Sequence, residues 1–111
     1  MFALEKEAVE RALRGLEKAL RGNLIAVIAF GSRVRGDFTE DSDFDVLVVV
    51  KERSFELVKR INGVFGREEE KTFTPFSVVI KTKEAFDKER AFKTAFYKNI
   101  RRDGVVFYGR A

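Results

Sequence analysis

Residues 24–50 read LIAVIAFGSRVRGDFTEDSDFDVLVVV, two apolar runs on either side of a polar, charged connection. The first run, 24–30, is too short for a buried helix and rich enough in Ile and Val for a buried strand. The second, 43–50, opens with Ser42-Asp43-Phe44-Asp45 and closes in unbroken Val and Leu, as expected of a central strand covered on both faces. The connection over 31–42 has room for one helical turn near 32–35. It is short for the crossover that parallel neighbours need, so the two strands are expected to run antiparallel.

Outward from this pair, residues 3–21 predict an amphipathic helix. Val9, Leu13, Leu16 and Leu20 recur at helical spacing, Glu5, Lys6, Glu10, Arg14, Glu17 and Lys18 cover the other side, and Gly22-Asn23 ends it. Ser54 reads as the N-cap of a helix carrying Leu57, Val58, Ile61, Val64 and Phe65, which Asn62-Gly63 weakens. Glu68 to Lys71 reads as a solvated charge run. Pro75 fits the first position of a strand over 76–80. Residues 83–102 predict helix with a break near 88–91, Phe92, Phe96 and Ile100 forming its core face. Asp103-Gly104 turns the chain into a last short strand, 105–108. The alternation predicts an α/β (α+β) fold, a single mixed sheet with helices packed against it, spanning 1–111 as one domain.

The 111 residues contain no cysteine and no histidine. Disulfides, thiol nucleophiles, serine–histidine machinery and ordinary zinc sites are thereby excluded, and a metal would have to be a hard cation held by oxygen. No apolar run reaches the roughly 20 residues that span a bilayer, and the charged first segment does not read as a secretory leader. A cytoplasmic protein is expected. Charged residues at 36%, one methionine and no glutamine fit a thermophilic source. Net charge is +4, yet Asp37, Glu40, Asp41, Asp43 and Asp45 form an acidic stretch without a basic residue. The basic remainder favours phosphate-rich partners, while the acidic patch set within it favours a divalent metal.

The chemistry concentrates in Gly31-Ser32-Arg33-Val34-Arg35-Gly36 and in Ser42-Asp43-Phe44-Asp45. Gly31, directly after a buried strand, can take backbone angles closed to other residues and bring the main chain close to a ligand. Ser32 at the start of a helical turn offers N–H groups and a hydroxyl to a phosphate. Arg33 and Arg35 extend that grip, and Gly36 lets the chain turn away. Asp43 and Asp45, two residues apart on a strand, point to one face, with Phe44 to the other. Such a pair can hold Mg²⁺, which shares oxygen ligands with nucleotide phosphates.

Gly31-Ser32, ten residues, then Asp43-x-Asp45 resembles the signature of the DNA polymerase beta-like nucleotidyltransferase superfamily. The finer pattern, Gly-Ser-x-x-x-Gly and Ser-Asp-x-Asp, resembles its minimal nucleotidyltransferase (MNT) branch. That resemblance implies a mixed-sheet core that binds ATP or another nucleoside triphosphate with Mg²⁺ and transfers the nucleotidyl group to an acceptor. It implies phosphate contacts from Gly31 and Ser32, extended here to Arg33, Gly36 and Ser42, and metal ligation and catalysis by Asp43 and Asp45. It also implies a helical HEPN-type toxin as partner, neutralised by adenylylation. The branch usually presents a third carboxylate from a neighbouring strand. The matching strand, 76–80, offers only Ser77, with Thr74 just before it, and Glu68, Glu69 or Glu70 could stand in only if their segment folds back.

The chain is too short to hold a separate acceptor domain, so a second chain or a second copy is expected to supply that surface. A module of the same fold that neutralises its partner by binding alone is the alternative. The basic body also fits a nucleic-acid partner, but no aromatic–basic platform or recognition helix is legible, so that reading ranks last.

Overall fold

The computed structural model describes residues 3–36 and 42–109. In chain order they form α1 (Ala3–Leu20), β1 (Leu24–Phe30), α2 (Ser32–Arg35), β2 (Phe44–Val50), α3 (Phe55–Thr72), β3 (Phe76–Thr82), α4 (Lys83–Phe92), α5 (Ala95–Asp103) and β4 (Val105–Tyr108). The strands make one sheet in the order β3-β2-β1-β4. β1 runs antiparallel to both β2 and β4, as the short 31–42 connection requires for the first pair, while β2 and β3 are parallel. The long α3 supplies the crossover that a parallel pair needs.

Strand alternation sorts the sheet into two faces. Val27, Ala29, Phe44, Val46, Val48, Val50 and Ile80 point to one side and meet Val9, Ala12, Leu16 and Leu20 of α1 and Leu57, Ile61, Val64 and Phe65 of α3. Ala26, Ile28, Leu47 and Val49 point to the other and meet Phe86 of α4 and Ile100 of α5. The central strands are thus covered on both faces, which is why they read as unbroken apolar runs.

Hydroxyl side chains start three of the helices. Ser54 accepts from the Leu57 amide at 3.1 Å, Thr82 from Ala85 at 3.1 Å and Thr94 from Tyr97 at 3.2 Å, satisfying amides that have no partner within the helix.

The structure departs from the sequence expectations at five points. Asn62-Gly63, expected to weaken the helix, leaves α3 unbroken, and it runs on through the charge run to Thr72. Glu68 in that run is buried and takes Arg11 of α1 at 2.9 Å. The helix expected over 83–102 breaks at Lys93-Thr94, not near 88–91: Lys93 adopts a left-handed conformation and Thr94 caps the next helix. That break takes Phe92 out of phase with Phe96 and Ile100, and it lies exposed. Finally, Glu5 does not belong to the solvated face of α1 but is buried. No helix among the described residues is long and apolar enough to cross a membrane.

Candidate active site

β1 delivers Gly31 at its C-terminal end and β2 carries Asp45 at its start, and the antiparallel register sets Phe30 opposite Asp45. Gly31 has φ 87° and ψ −169°, a region essentially closed to residues with a Cβ. The same glycine lies so close to Asp45 that an added Cβ would collide with its Oδ2. The absent side chain therefore serves twice, allowing the turn and leaving room for the carboxylate. α2 follows at once, with the Val34 and Arg35 amides both donating to the Gly31 carbonyl and Gly36 closing the turn in a left-handed conformation.

Asp45 shares its side of β2 with Leu47 and Val49, whereas Phe44 is fully buried on the other. Asp43 is exposed and Asp45 half-buried. Burial raises the Asp45 pKa, and the neighbouring Asp43 charge raises it further; a hydrogen bond from Ser77 and the charge of Arg35 oppose the shift. Two carboxylates that repel each other at a partly desolvated strand end form a donor set lacking positive charge, which suits a divalent cation. Ser77 stands beside Asp45 in the parallel β2–β3 register. The third position thus holds a hydroxyl. Of the glutamates that could have replaced it, Glu69 accepts from the Phe76 amide at 2.7 Å and Glu68 pairs with Arg11, so neither reaches the aspartate pair. Among the described residues no group of three or more acidic side chains comes together. Asp37, Glu40 and Asp41 lie outside those residues.

Both arginines of the motif are committed to carboxylates, Arg33 part-buried and Arg35 exposed. Arg33 donates from Nε to the Ser42 carbonyl at 2.6 Å and from a terminal nitrogen to Glu5 Oε1 at 2.9 Å. It thereby ties the segment just before Asp43 to α2 and to the N-terminal turn of α1. The second Glu5 oxygen is buried without a partner among the described residues. Arg35 donates to Asp103 Oδ2 at 2.8 Å, and Arg102 grips the same carboxylate at 3.0 Å. The two arginines hold Asp103 down to a pKa of about 2, through their hydrogen bonds and charge. Glu5 and Asp103 are the supporting residues that sequence reading missed. Glu5 was hidden among the helix's polar positions, and Asp103 in a turn dipeptide. Gly31 and Asp45 meet at one corner, with Ser32 and Asp43 next to them along the chain, Arg33 holding the Ser42 carbonyl and Gly36 closing the turn.

This corner of a mixed four-stranded sheet defines a class. The chain belongs to the nucleotidyltransferase domain family, whose model matches residues 9–105, and so to the polymerase beta-like nucleotidyltransferases in their minimal form, enzymes that transfer nucleotidyl groups. A candidate protein adenylyltransferase of Methanocaldococcus jannaschii is 27% identical over 107 residues, covering 94% of this chain and 98% of the relative. A second candidate protein adenylyltransferase of that organism is 44% identical over 46 residues, 41% of this chain and 46% of its own. Among solved structures, an Enterococcus spectinomycin adenyltransferase with ATP and spectinomycin superposes with a TM-score of 0.73 at 18% identity, over 96% of this chain and 56% of that one. A toxin–antitoxin structure with AMP-PNP superposes with a TM-score of 0.60 at 16% identity, over 91% and 73%. These superpositions bear on the fold.

Proposed function

We propose that the protein is a Mg²⁺-dependent adenylyltransferase that moves AMP from ATP to a hydroxyl of a partner protein, acting as the antitoxin of a pair whose toxin is a helical HEPN-type protein. The observation that carries this reading is the packing of Gly31 against the Asp45 carboxylate, with Asp43 alongside. It brings a phosphate-binding backbone turn and an anionic pair to one corner. The minimal-nucleotidyltransferase pattern at 31–36 and 42–45, the full-length likeness to a candidate protein adenylyltransferase and the toxin–antitoxin neighbours support it.

In this mechanism Asp43 and Asp45 would hold Mg²⁺, and Gly31, Ser32 and the following turn would receive the triphosphate. Bound Mg²⁺ supplies charge neutralisation and Lewis acidity at the phosphates. The acceptor oxygen forms a bond to the α-phosphorus as the bond to pyrophosphate breaks. The protein's own share is to position these groups and exclude wrong geometries. Ser77 holds Asp45 in orientation by hydrogen bonding. A hydroxyl is a poor base at neutral pH, so the acceptor's proton is to be taken by the substrate or by a group of the partner rather than by Ser77. The test is the mass of a partner co-expressed with the protein. It is expected to rise by one or more AMP units with wild type and not with Asp43→Asn plus Asp45→Asn; an unchanged mass in both overturns the reading.

Ser77 at the third position favours one alternative: neutralisation by binding without turnover. That alternative predicts that the double asparagine variant still protects cells from the toxin.

A further inference from the structure

A second concave feature lies outside the catalytic corner. Where α4 and α5 meet, Arg90, Lys93, Tyr97, Lys98, Arg101 and Arg102 line a cavity of about 500 Å³. Five of the six carry positive charge. Arg90 is held in place over the rings of Phe86 at 5.7 Å and Tyr97 at 5.8 Å, an arrangement that fixes a guanidinium with its hydrogen-bonding edge outward. Lys93, Lys98 and Arg101 are exposed and have no ion pair among the described residues, although exposed pairs elsewhere on this chain are common, as in Lys83–Asp87 and Lys88–Glu84. Unneutralised cations gathered around one pocket repel one another, and an anionic occupant relieves that repulsion.

The pocket is joined to the catalytic corner. Arg102 on its rim and Arg35 of α2 share the Asp103 carboxylate, at 3.0 and 2.8 Å. An occupant of the pocket thus sits one shared ion pair away from the Gly31–Gly36 turn.

We propose that this pocket docks an acidic segment of the acceptor protein, bringing the acceptor to the catalytic corner. The inference rests on the protein-adenylylating reading above. Arg90 and Arg101 match carboxylates with their forked donors, the fork of Arg102 being engaged by Asp103. The alternative polyanion, a single-stranded nucleic acid, fits less well. Its bases need open aromatic faces on which to stack, whereas the Tyr97 ring lies beneath Arg90 and against Phe86. The nine-residue α5 also spans only about 13 Å, enough for few phosphates.

The test uses the full chain and a fluorescein-labelled octapeptide of alternating Asp and Glu, with fluorescence anisotropy as readout at low and high salt. Wild type is expected to bind it, and Lys98→Glu plus Arg101→Glu to bind about tenfold more weakly or less. Equal binding by both overturns the proposal. So does tighter binding of a single-stranded oligonucleotide of equal length, which would assign the pocket to nucleic acid. Binding of a fluorescent ATP analogue with Mg²⁺ is measured in parallel and is expected to be the same in both proteins, since neither substituted residue belongs to the catalytic corner. A wild type that binds the peptide but not Mg²⁺ and ATP sinks the adenylyl-transfer reading and leaves the acidic-segment pocket standing. Wild type binding the nucleotide but not the peptide does the reverse.

Discussion

Replacing Gly31 by alanine would set a methyl group on the Asp45 carboxylate and force a Cβ into a backbone region reserved for glycine. The expected cost is about 1–3 kcal/mol from the backbone alone, together with loss of Mg²⁺–ATP binding. Thermal melting and nucleotide titration of Gly31→Ala measure the two effects separately. Asp45→Asn should behave oppositely in the two measurements. Burial and the Asp43 charge raise the Asp45 pKa, so at neutral pH its ionised form costs stability, a cost that disappears as pH falls through the folded-state pKa. The neutral amide removes it at all pH values. The variant's melting temperature in the absence of metal should therefore exceed that of wild type, while Mg²⁺ with ATP stabilises wild type only. Lower stability of the metal-free variant would contradict the repulsion between the two aspartates. At this scale the meeting of the Gly31 turn with Asp45 was legible in advance, because two antiparallel strands joined by a short connection bring the end of one beside the start of the other. Glu5 and Asp103 were not. Whether a glutamate on a helix is solvated or buried depends on a cation 28 residues away in sequence, Arg33, and local pattern carries no record of it.

At the scale of elements, Arg33 and Asp103 join helices to the loop that carries the motif. The Arg33–Glu5 pair is nearly buried, with side chains 11% and 5% exposed. Removing one partner strands the other, at a cost of about 3 kcal/mol. Arg33→Met should therefore destabilise the fold by roughly that amount in a denaturant titration, and adding Glu5→Leu should recover part of the loss. Failure of the second change to recover anything would mean that Arg33 acts chiefly through its bond to the Ser42 carbonyl. Asp103 gives a pH-dependent counterpart. Its pKa is lowered from 3.8 to about 2 by Arg102 and Arg35. The stability this contributes is fully present above the unfolded value and is lost as pH falls through the folded one. The difference in melting temperature between wild type and Asp103→Asn should stay level above pH 4 or so and shrink between there and pH 2. A difference that persists to pH 2 would point away from the ion pairs. The elements themselves were largely readable, since caps, apolar spacing and short connections are local signals. The exceptions share a cause. α3 outlasts Asn62-Gly63 because Ile61, Val64, Phe65, Glu68 and Thr72 continue one buried stripe against the core, and tertiary packing outweighs the weak helix propensity of two residues. Phe92 was assigned to the core on spacing that held only if the break came before it, whereas the helix breaks after it, at Lys93-Thr94.

For the whole molecule, the two layers flanking the sheet are unequal. The α1–α3 side assembles sixteen buried apolar residues, eight of them from the two helices. The opposite side has six, and α4 and α5 contribute one each, Phe86 and Ile100. Apolar burial sets local stability, so regions with little of it open first. Hydrogen exchange should therefore find β1, β2, α1 and α3 protected to near the global limit, with α4 and α5 exchanging earlier as one cooperative unit. Residues 24–50 specify the central pair, but the side on which each helix lies is decided by which strand face offers the larger apolar surface. The functional consequence is that the cationic pocket, Asp103 and its link to Arg35 all belong to the weaker layer, while Gly31 and Asp45 are anchored to central strands. An acidic peptide bound at α4–α5 should slow exchange in both helices and in α2, through the shared Asp103, and leave α1 and α3 unaffected. Slowing confined to α5 would mean that the Asp103 bridge does not carry order from the pocket to the catalytic turn.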